Sequence, residues 1–91
     1  MKLYVLACKR LSKSQQYVQG THAAIEWAME NNSLAHPILV MLSCPEIETW
    51  KELLEEKDIS HHTFHDSYYD GRLTAIASTE IGELAKKLRL I

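Results

Sequence analysis

The chain has 91 residues, of which 46% are hydrophobic and 24% charged, and its formal net charge is -2. This length accommodates one domain over residues 1–91, and the composition excludes a disordered, collagen-like or coiled-coil chain. A slightly acidic balance does not by itself indicate a nucleic-acid binder, because such proteins neutralise phosphates with Lys and Arg. RNA binding would require the ten Lys and Arg residues to gather on one face.

The cysteines and the apolar run near the N-terminus indicate the cellular compartment in which we expect the protein. Cys8 and Cys44 lie in or beside apolar runs, and we expect both to be buried free thiols. A disulfide framework would need more cysteines and a secretory signal. The apolar run over residues 3–8 is too short for a signal-peptide core or a membrane span. We therefore expect a cytoplasmic protein without membrane association.

The first half of the chain predicts a β-α-β unit. Residues 3–9 form an apolar run without alternation, which is typical of a strand covered on both faces. From about residue 14 to residue 30, apolar side chains recur at intervals of three and four, as in an amphipathic helix. Ser12 and Ser14 are candidate N-caps for this helix. The apolar residues 38–42, which follow Pro37, predict the second strand.

The second half adds a helix, two strands and a last helix. Pro45 and Glu46 suit a helix start, because proline at the first helical position lacks a donor that would be unpaired there and Glu opposes the helix dipole. This helix is predicted to end near residue 57. Residues 59–64 and 72–78 predict two strands joined by a turn at Asp70-Gly71, and Thr79 can cap a helix over residues 80–88.

The element order β-α-β-α-β-β-α predicts the fold class. Strands separated by helices favour parallel pairing, whereas the last two strands are close enough to form a hairpin. We therefore expect a single α/β domain of three layers, in which a small four-stranded mixed sheet carries helices on both faces.

The segment Gln19-Gly20-Thr21-His22-Ala23 is the most informative for chemistry. Gly20 interrupts the predicted helix at a cost of about 1 kcal/mol relative to alanine, which suggests that another segment or a ligand comes close. Gln19 and His22 are three residues apart and share a helical face. His22 is either a packed histidine bonded to a neighbouring strand or part of a site.

A second polar stretch, residues 64–72, contains carboxylates, tyrosines and an arginine between two predicted strands. A loop on a rigid sheet could position an acid, a base or a phosphate contact, although a solvated hairpin turn at Asp70-Gly71 explains the same residues. Strand alternation divides the neighbouring His61, His62 and His65 between two faces. At most two ligands then share a face, fewer than zinc prefers, and we expect no metal site.

These features together resemble the type 2 peptidyl-tRNA hydrolase family. That family carries a Gln-x-x-His-Ala signature on its first helix, which corresponds here to Gln19 through Ala23. The likeness continues through the apolar strand 38–42, the acidic helix 44–56, the Asp-containing segment 64–66, the Thr-bearing strand 74–77 and the Leu-rich segment 84–90. It covers nearly the whole chain and implies the same α/β fold.

The resemblance implies hydrolysis of the ester between tRNA and a peptide or another N-blocked aminoacyl group, with no metal or organic cofactor. Such a reaction needs a water oriented by a carboxylate, and hydrogen-bond donors for the developing oxyanion. Asp66 or Asp70 would orient the water, Thr74 would donate a hydrogen bond, and Lys13 or Arg10 would meet a phosphate. The implied residues are His22, Asp66, Asp70 and Thr74 for catalysis, and Arg10, Lys13, Gln15 and Gln19 for substrate binding.

The chain departs from the family at the catalytic lysine, four residues before Gln19, where it has Gln15. Lys13 lies two positions before Gln15, and helical residues two positions apart point in nearly opposite directions. Lys13 could therefore substitute for the lysine only if the chain is not yet helical there. The shortened loop aligns the family aspartate with either Asp66 or Asp70. A degenerate module that binds a nucleotide, an RNA end or a protein partner is therefore an alternative.

A third hypothesis is an interaction protein. Its exposed aromatic residues would form a homodimer or partner surface, and small domains with marginal cores often associate in this way. The aromatic residue expected on this surface is Tyr68, Tyr69 or Trp27.

Overall fold

The computed structural model describes residues 1–33 and 36–91. Its regular elements, in chain order, are β1 (Lys2–Cys8), α1 (Lys13–Glu30), β2 (Ile38–Cys44), α2 (Ile47–Glu56), β3 (His62–Asp66), β4 (Arg72–Ser78) and β5 (Arg89–Leu90). Short 3-10 turns cover Ser67–Tyr69 and Leu84–Lys87. Neither α1 nor α2 is long and apolar enough to cross a lipid bilayer.

The five strands form one mixed sheet in the order β3-β4-β1-β2-β5. Strands β1 and β2 are parallel, with Lys2 opposite Ile38 and Cys8 opposite Cys44. The other neighbours, β1 with β4, β2 with β5 and β3 with β4, are antiparallel. The expected parallel pair and the expected hairpin of the third and fourth strands are both confirmed.

The helices lie on opposite faces of the sheet. Along β1, Val5 packs in a cluster with Ala23 and Trp27 of α1, whereas Leu6 packs in a second cluster with Leu54 of α2. Because successive residues of a strand point to opposite faces, β1 lies between the two helices. The α/β class and the covered first strand are therefore confirmed. Trp27, expected among the exposed aromatics, belongs to the core and is 8% exposed.

The predicted last helix and the four-strand count are wrong. Residues 80–88 contain only a 3-10 turn, and the chain then forms β5 antiparallel to Leu42 and Ser43 of β2. Ile81 and Ala85 are buried at a helical spacing of four, which explains the prediction. The outer edge of β2, however, offers unpaired backbone groups, and the chain satisfies some of them by adding a strand.

The start of α1 agrees with one of its two predicted N-caps, whereas the start of α2 differs slightly from the prediction. Helix α1 is capped by Ser12, whose Oγ accepts a hydrogen bond from the backbone N–H of Gln15 at 3.2 Å. Pro45, predicted at the first position of α2, lies before the helix. Glu46, which takes a left-handed conformation with φ 53°, precedes the first helical residue, Ile47.

At Gly20, α1 lies close against the sheet. A Cβ atom at this position would lie 2.7 Å from Met41 Cε and 3.1 Å from Val5 Cγ1. The close approach expected from this glycine is thus made by side chains of β1 and β2. The contact holds the neighbouring residue Gln19 against the sheet, where it is 1% exposed.

Both cysteines are free and buried, as the sequence predicts. They face each other in the register of β1 and β2. Burial raises the pKa of the Cys44 thiol to about 12, so this thiol is protonated at neutral pH. Its sulfur donates to the Pro45 carbonyl at 3.5 Å.

Candidate functional site

The candidate site lies where the first turns of α1 cross the end of β3 and the start of β4. A chain of hydrogen bonds joins the three elements. Thr74 Oγ1 donates to Gln19 Oε1 at 2.6 Å, and Gln19 Nε2 donates to Asp66 Oδ2 at 2.8 Å. Thr74 and Gln19 are buried, at 2% and 1% exposed.

The direction of these bonds follows from the chemistry of Asp66. An ionised carboxylate accepts hydrogen bonds and donates none, so the amide nitrogen of Gln19 must face it. The amide oxygen of Gln19 then faces Thr74, and the Thr74 hydroxyl must donate. The Thr74 hydroxyl therefore donates its proton to Gln19. Thr74 contacts Asp66 only indirectly, by orienting the Gln19 amide that donates to the carboxylate.

An irregularity in β4 turns Thr74 toward α1. The pairing of β4 with β3 steps directly from Ala75 to Leu73, which leaves Thr74 as an extra residue. In an unbroken strand Thr74 would share a face with Ile76, which packs on the α2 side of the sheet. The bulge instead places the Thr74 hydroxyl within reach of Gln19, as bulges beside functional sites often re-aim one side chain.

Asp66 is held in its ionised form. Its Oδ1 accepts the backbone N–H of Tyr68 at 2.9 Å, which caps the short turn that follows β3. This backbone bond first, then the bond from Gln19 and the nearby His22, lower the pKa of the Asp66 carboxyl below its ordinary value. The site thus presents a carboxylate at neutral pH.

Gln15 belongs to the same network. Its Oε1 accepts from the Tyr69 hydroxyl at 3.2 Å and lies 3.4 Å from Gln19 Nε2. Because this oxygen receives both contacts, Nε2 of Gln15 is left to donate elsewhere; it has no hydrogen-bond partner among residues 1–33 and 36–91. A neutral donor therefore occupies the position where the resemblance implies a lysine.

His22 is exposed on α1, one turn after Gln19. Its ring stacks on Phe64 of β3, with the ring centroids 5.1 Å apart and the planes at 16°. In the described part of the chain, no side chain or carbonyl hydrogen-bonds to its nitrogens. The histidine does pack on a neighbouring strand, but through its ring face, which leaves both nitrogens available for hydrogen bonds with water or a ligand.

Three of the expected site residues lie elsewhere. Asp70 is exposed and ends the turn after β3 in a left-handed conformation with φ 56°, followed by Gly71, so it has the turn role that its sequence context suggests. Arg10 forms an exposed ion pair with Glu48. Lys13 is the first residue of α1 and is helical, so the condition under which it could replace the lysine is not met.

The nearby histidines are used in other contacts. The two nitrogens of His62 contact Glu26 Oε1 at 2.8 Å and Glu30 Oε2 at 2.5 Å. His61 Nδ1 lies 2.7 Å from the carbonyl oxygen of Ile59. Across the described ranges, no group of three or more His, Cys, Asp and Glu side chains is arranged to hold a metal ion.

Sequence reasoning missed Phe64 and Tyr69 as individual partners in the site. Both lie in the polar stretch singled out above, but only the packing of α1 on β3 brings Phe64 to His22 and Tyr69 to Gln15. The site thus joins residues up to 55 positions apart in the chain. No protein-family model and no curated protein matches the chain.

Proposed function

We propose that this protein is an esterase that cleaves the ester bond between tRNA and a peptide or another N-blocked aminoacyl group. The observation that supports the proposal is the hydrogen-bonded chain Thr74–Gln19–Asp66, with His22 close to the carboxylate. These are four of the positions for which the resemblance to type 2 peptidyl-tRNA hydrolases implies a role. They come from three elements, so no single local motif accounts for their meeting.

The residues present can divide the chemistry of ester hydrolysis between them. A water hydrogen-bonded to Asp66 would be oriented toward the ester carbonyl carbon, and His22 would take its proton as the new C–O bond forms. Gln15 Nε2 would donate to the developing oxyanion. When the tetrahedral intermediate collapses, the ester C–O bond breaks and the departing ribose oxygen takes the proton from His22.

Gln19 and Thr74 act in this scheme as positioning residues. Gln19 holds one oxygen of Asp66, and Thr74 holds the Gln19 amide in the orientation that allows it to donate. The other oxygen of Asp66 is held by the backbone of Tyr68. The carboxylate is thereby fixed by bonds from two directions before any substrate arrives, which lowers the cost of ordering it in the transition state.

The test is release of an N-acetyl-aminoacyl group from charged tRNA, measured for the wild type, Asp66→Asn and Asp70→Asn. Asn removes the charge at either position and keeps the size of the side chain. We expect Asp66→Asn to lower turnover by about 100-fold or more, the usual effect of removing an acid–base group. Asp70→Asn should stay close to wild type. Equal loss in both variants, or no turnover by folded wild type, would contradict the proposal.

A specific observation favours a second candidate, a binding module without activity. Gln15 cannot supply the positive charge of a lysine, and its amide oxygen is already occupied by Tyr69. In that case the wild type would bind the charged tRNA without cleaving it. Gln15→Lys would then create turnover, whereas Ser14→Lys, the same charge change at an exposed neighbour, would not. If the wild type is active, Gln15→Ala should lower its turnover instead.

A further inference from the structure

A basic pocket lies beside the candidate site, between the end of β1, the first turn of α1 and the C-terminal residues. Its volume is about 420 Å³, which is within the range of small-molecule sites. Four basic side chains line it, and no Asp or Glu side chain among the described residues does. The four residues are Lys9, Lys13, Lys87 and Arg89.

The charge of this pocket is unusual for the chain as a whole. The protein has a net charge of -2, yet four of its ten Lys and Arg residues line this one cavity. None of the four forms an ion pair within residues 1–33 and 36–91, although Arg10, Lys51 and Lys86 do. Four unpaired positive charges around a cavity repel one another and attract an anion into it.

The N-terminus of α1 adds to this field. The positive end of its dipole lies at Lys13, and residues 13–16 include no carboxylate to oppose it. Gln16 also lines the pocket, and its Nε2 donates to the Leu11 carbonyl at 2.9 Å.

We propose that the basic pocket is a phosphate-binding site, which holds a phosphate group of a nucleotide or of an RNA strand. Lys and Arg are the side chains that bind phosphate most strongly, through charge-assisted hydrogen bonds. Ser43, in the pocket wall, adds a hydroxyl donor. The inference depends on this pocket alone, so it holds even if the protein cleaves no ester.

The pocket is also well placed relative to the candidate site. Gln16 lines the pocket and Gln15 belongs to the hydrogen-bonded network, and consecutive helical residues point about 100° apart. The two sites therefore lie on adjacent sides of the same helical turn. If the esterase proposal is correct, a phosphate of the tRNA strand would be held here while its acyl ester lies at Asp66.

The test is a titration of the ¹⁵N-labelled protein, followed by NMR, with three probes: inorganic phosphate, adenosine monophosphate and a short single-stranded oligoribonucleotide. We expect shifts of the backbone amides in residues 13–16 and 87–91. Lys87→Gln/Arg89→Gln should weaken binding by about tenfold or more, because two charge-assisted bonds are lost. Lys2→Gln/Lys57→Gln, with the same charge change at exposed positions outside the pocket, should bind like the wild type.

Each outcome either identifies the molecule that supplies the phosphate or shows that the pocket is not a phosphate-binding site. An oligoribonucleotide that binds much more tightly than the mononucleotide, with an affinity that falls steeply between low and physiological salt, identifies an RNA strand. Equal affinities identify a single nucleotide. If none of the probes binds, or if both double variants weaken binding equally, the pocket is not a phosphate site. Melting temperatures show whether each variant still folds. Lys9→Gln/Lys13→Gln, on other segments that line the pocket, should weaken binding as Lys87→Gln/Arg89→Gln does.

Discussion

Gln19 and Asp66 are joined by a 2.8 Å hydrogen bond across 47 residues of the chain. This bond ties the buried face of α1 to the last residue of β3. Since the Asp66 carboxylate only accepts, the bond also determines which end of the Gln19 amide meets Thr74. The effects of this bond on the free energy of unfolding, and on how that free energy depends on pH, can be measured separately from any activity.

Removing the Thr74 hydroxyl should destabilise the protein. Thr74→Val keeps the shape of the side chain but leaves the buried oxygen of Gln19 without its donor. An unsatisfied buried acceptor costs about 1–3 kcal/mol, and we expect the free energy of unfolding in urea to fall by that amount. Thr63→Val in the neighbouring strand is the control, because Thr63 makes no side-chain hydrogen bond in the described residues. Equal effects of the two changes would show that the bond from Thr74 to Gln19 contributes nothing.

Asp66 should make stability depend on acid pH. Its pKa is lower in the folded protein than in the unfolded chain, where it is about 3.9. The stability that it contributes is therefore complete above that value and disappears as the pH falls through the folded pKa. In urea unfolding from pH 7 to pH 2, the difference between wild type and Asp66→Asn should shrink below about pH 4. A difference between wild type and Asp66→Asn that stays constant over this pH range would contradict the assignment.

Enlarging residue 20 should push α1 away from the sheet. Gly20→Val places methyl groups where Val5 and Met41 already pack, and overpacking of this kind costs about 1–3 kcal/mol. The free energy of unfolding should fall accordingly. Met29→Val, on the same helix but 73% exposed, introduces the same side chain without crowding and should change stability little. A stable Gly20→Val variant would mean that the helix can move outward at no cost.

The Cys44 thiol should be nearly inert in the folded protein. With its pKa raised to about 12, only a small fraction is thiolate at pH 8, and the thiolate is the reactive form. In a Cys8→Ala background, alkylation by iodoacetamide should be about a thousand-fold slower in native protein than in urea. Similar rates in the two states would show that the strand end opens readily and that Cys44 is not held in the core.

Local patterns were sufficient to predict β1, α1, β2, α2 and the hairpin of β3 and β4. These elements have strong apolar periodicity or unbroken apolar runs, and such signals arise within a few neighbouring residues. The segment after Thr79 has weaker signals. Buried Ile81 and Ala85 are spaced as in a helix, yet the edge of β2 draws the following residues into β5. Strand pairing with a distant segment cannot be read from local spacing.

The sequence by itself determined the α/β class, the buried cysteines and the Gln-x-x-His segment that led to Gln19 and His22. Only the tertiary structure decided which aspartate meets Gln19, because the end of β3 brings Asp66 to α1 while Asp70 is held in a turn. It also turned Thr74 toward Gln19 through a bulge, and it gathered Lys9, Lys13, Lys87 and Arg89 around one pocket. The physical reason is common to all three. Periodicity records which side of its own element a residue occupies, whereas a site depends on how distant elements pack and pair.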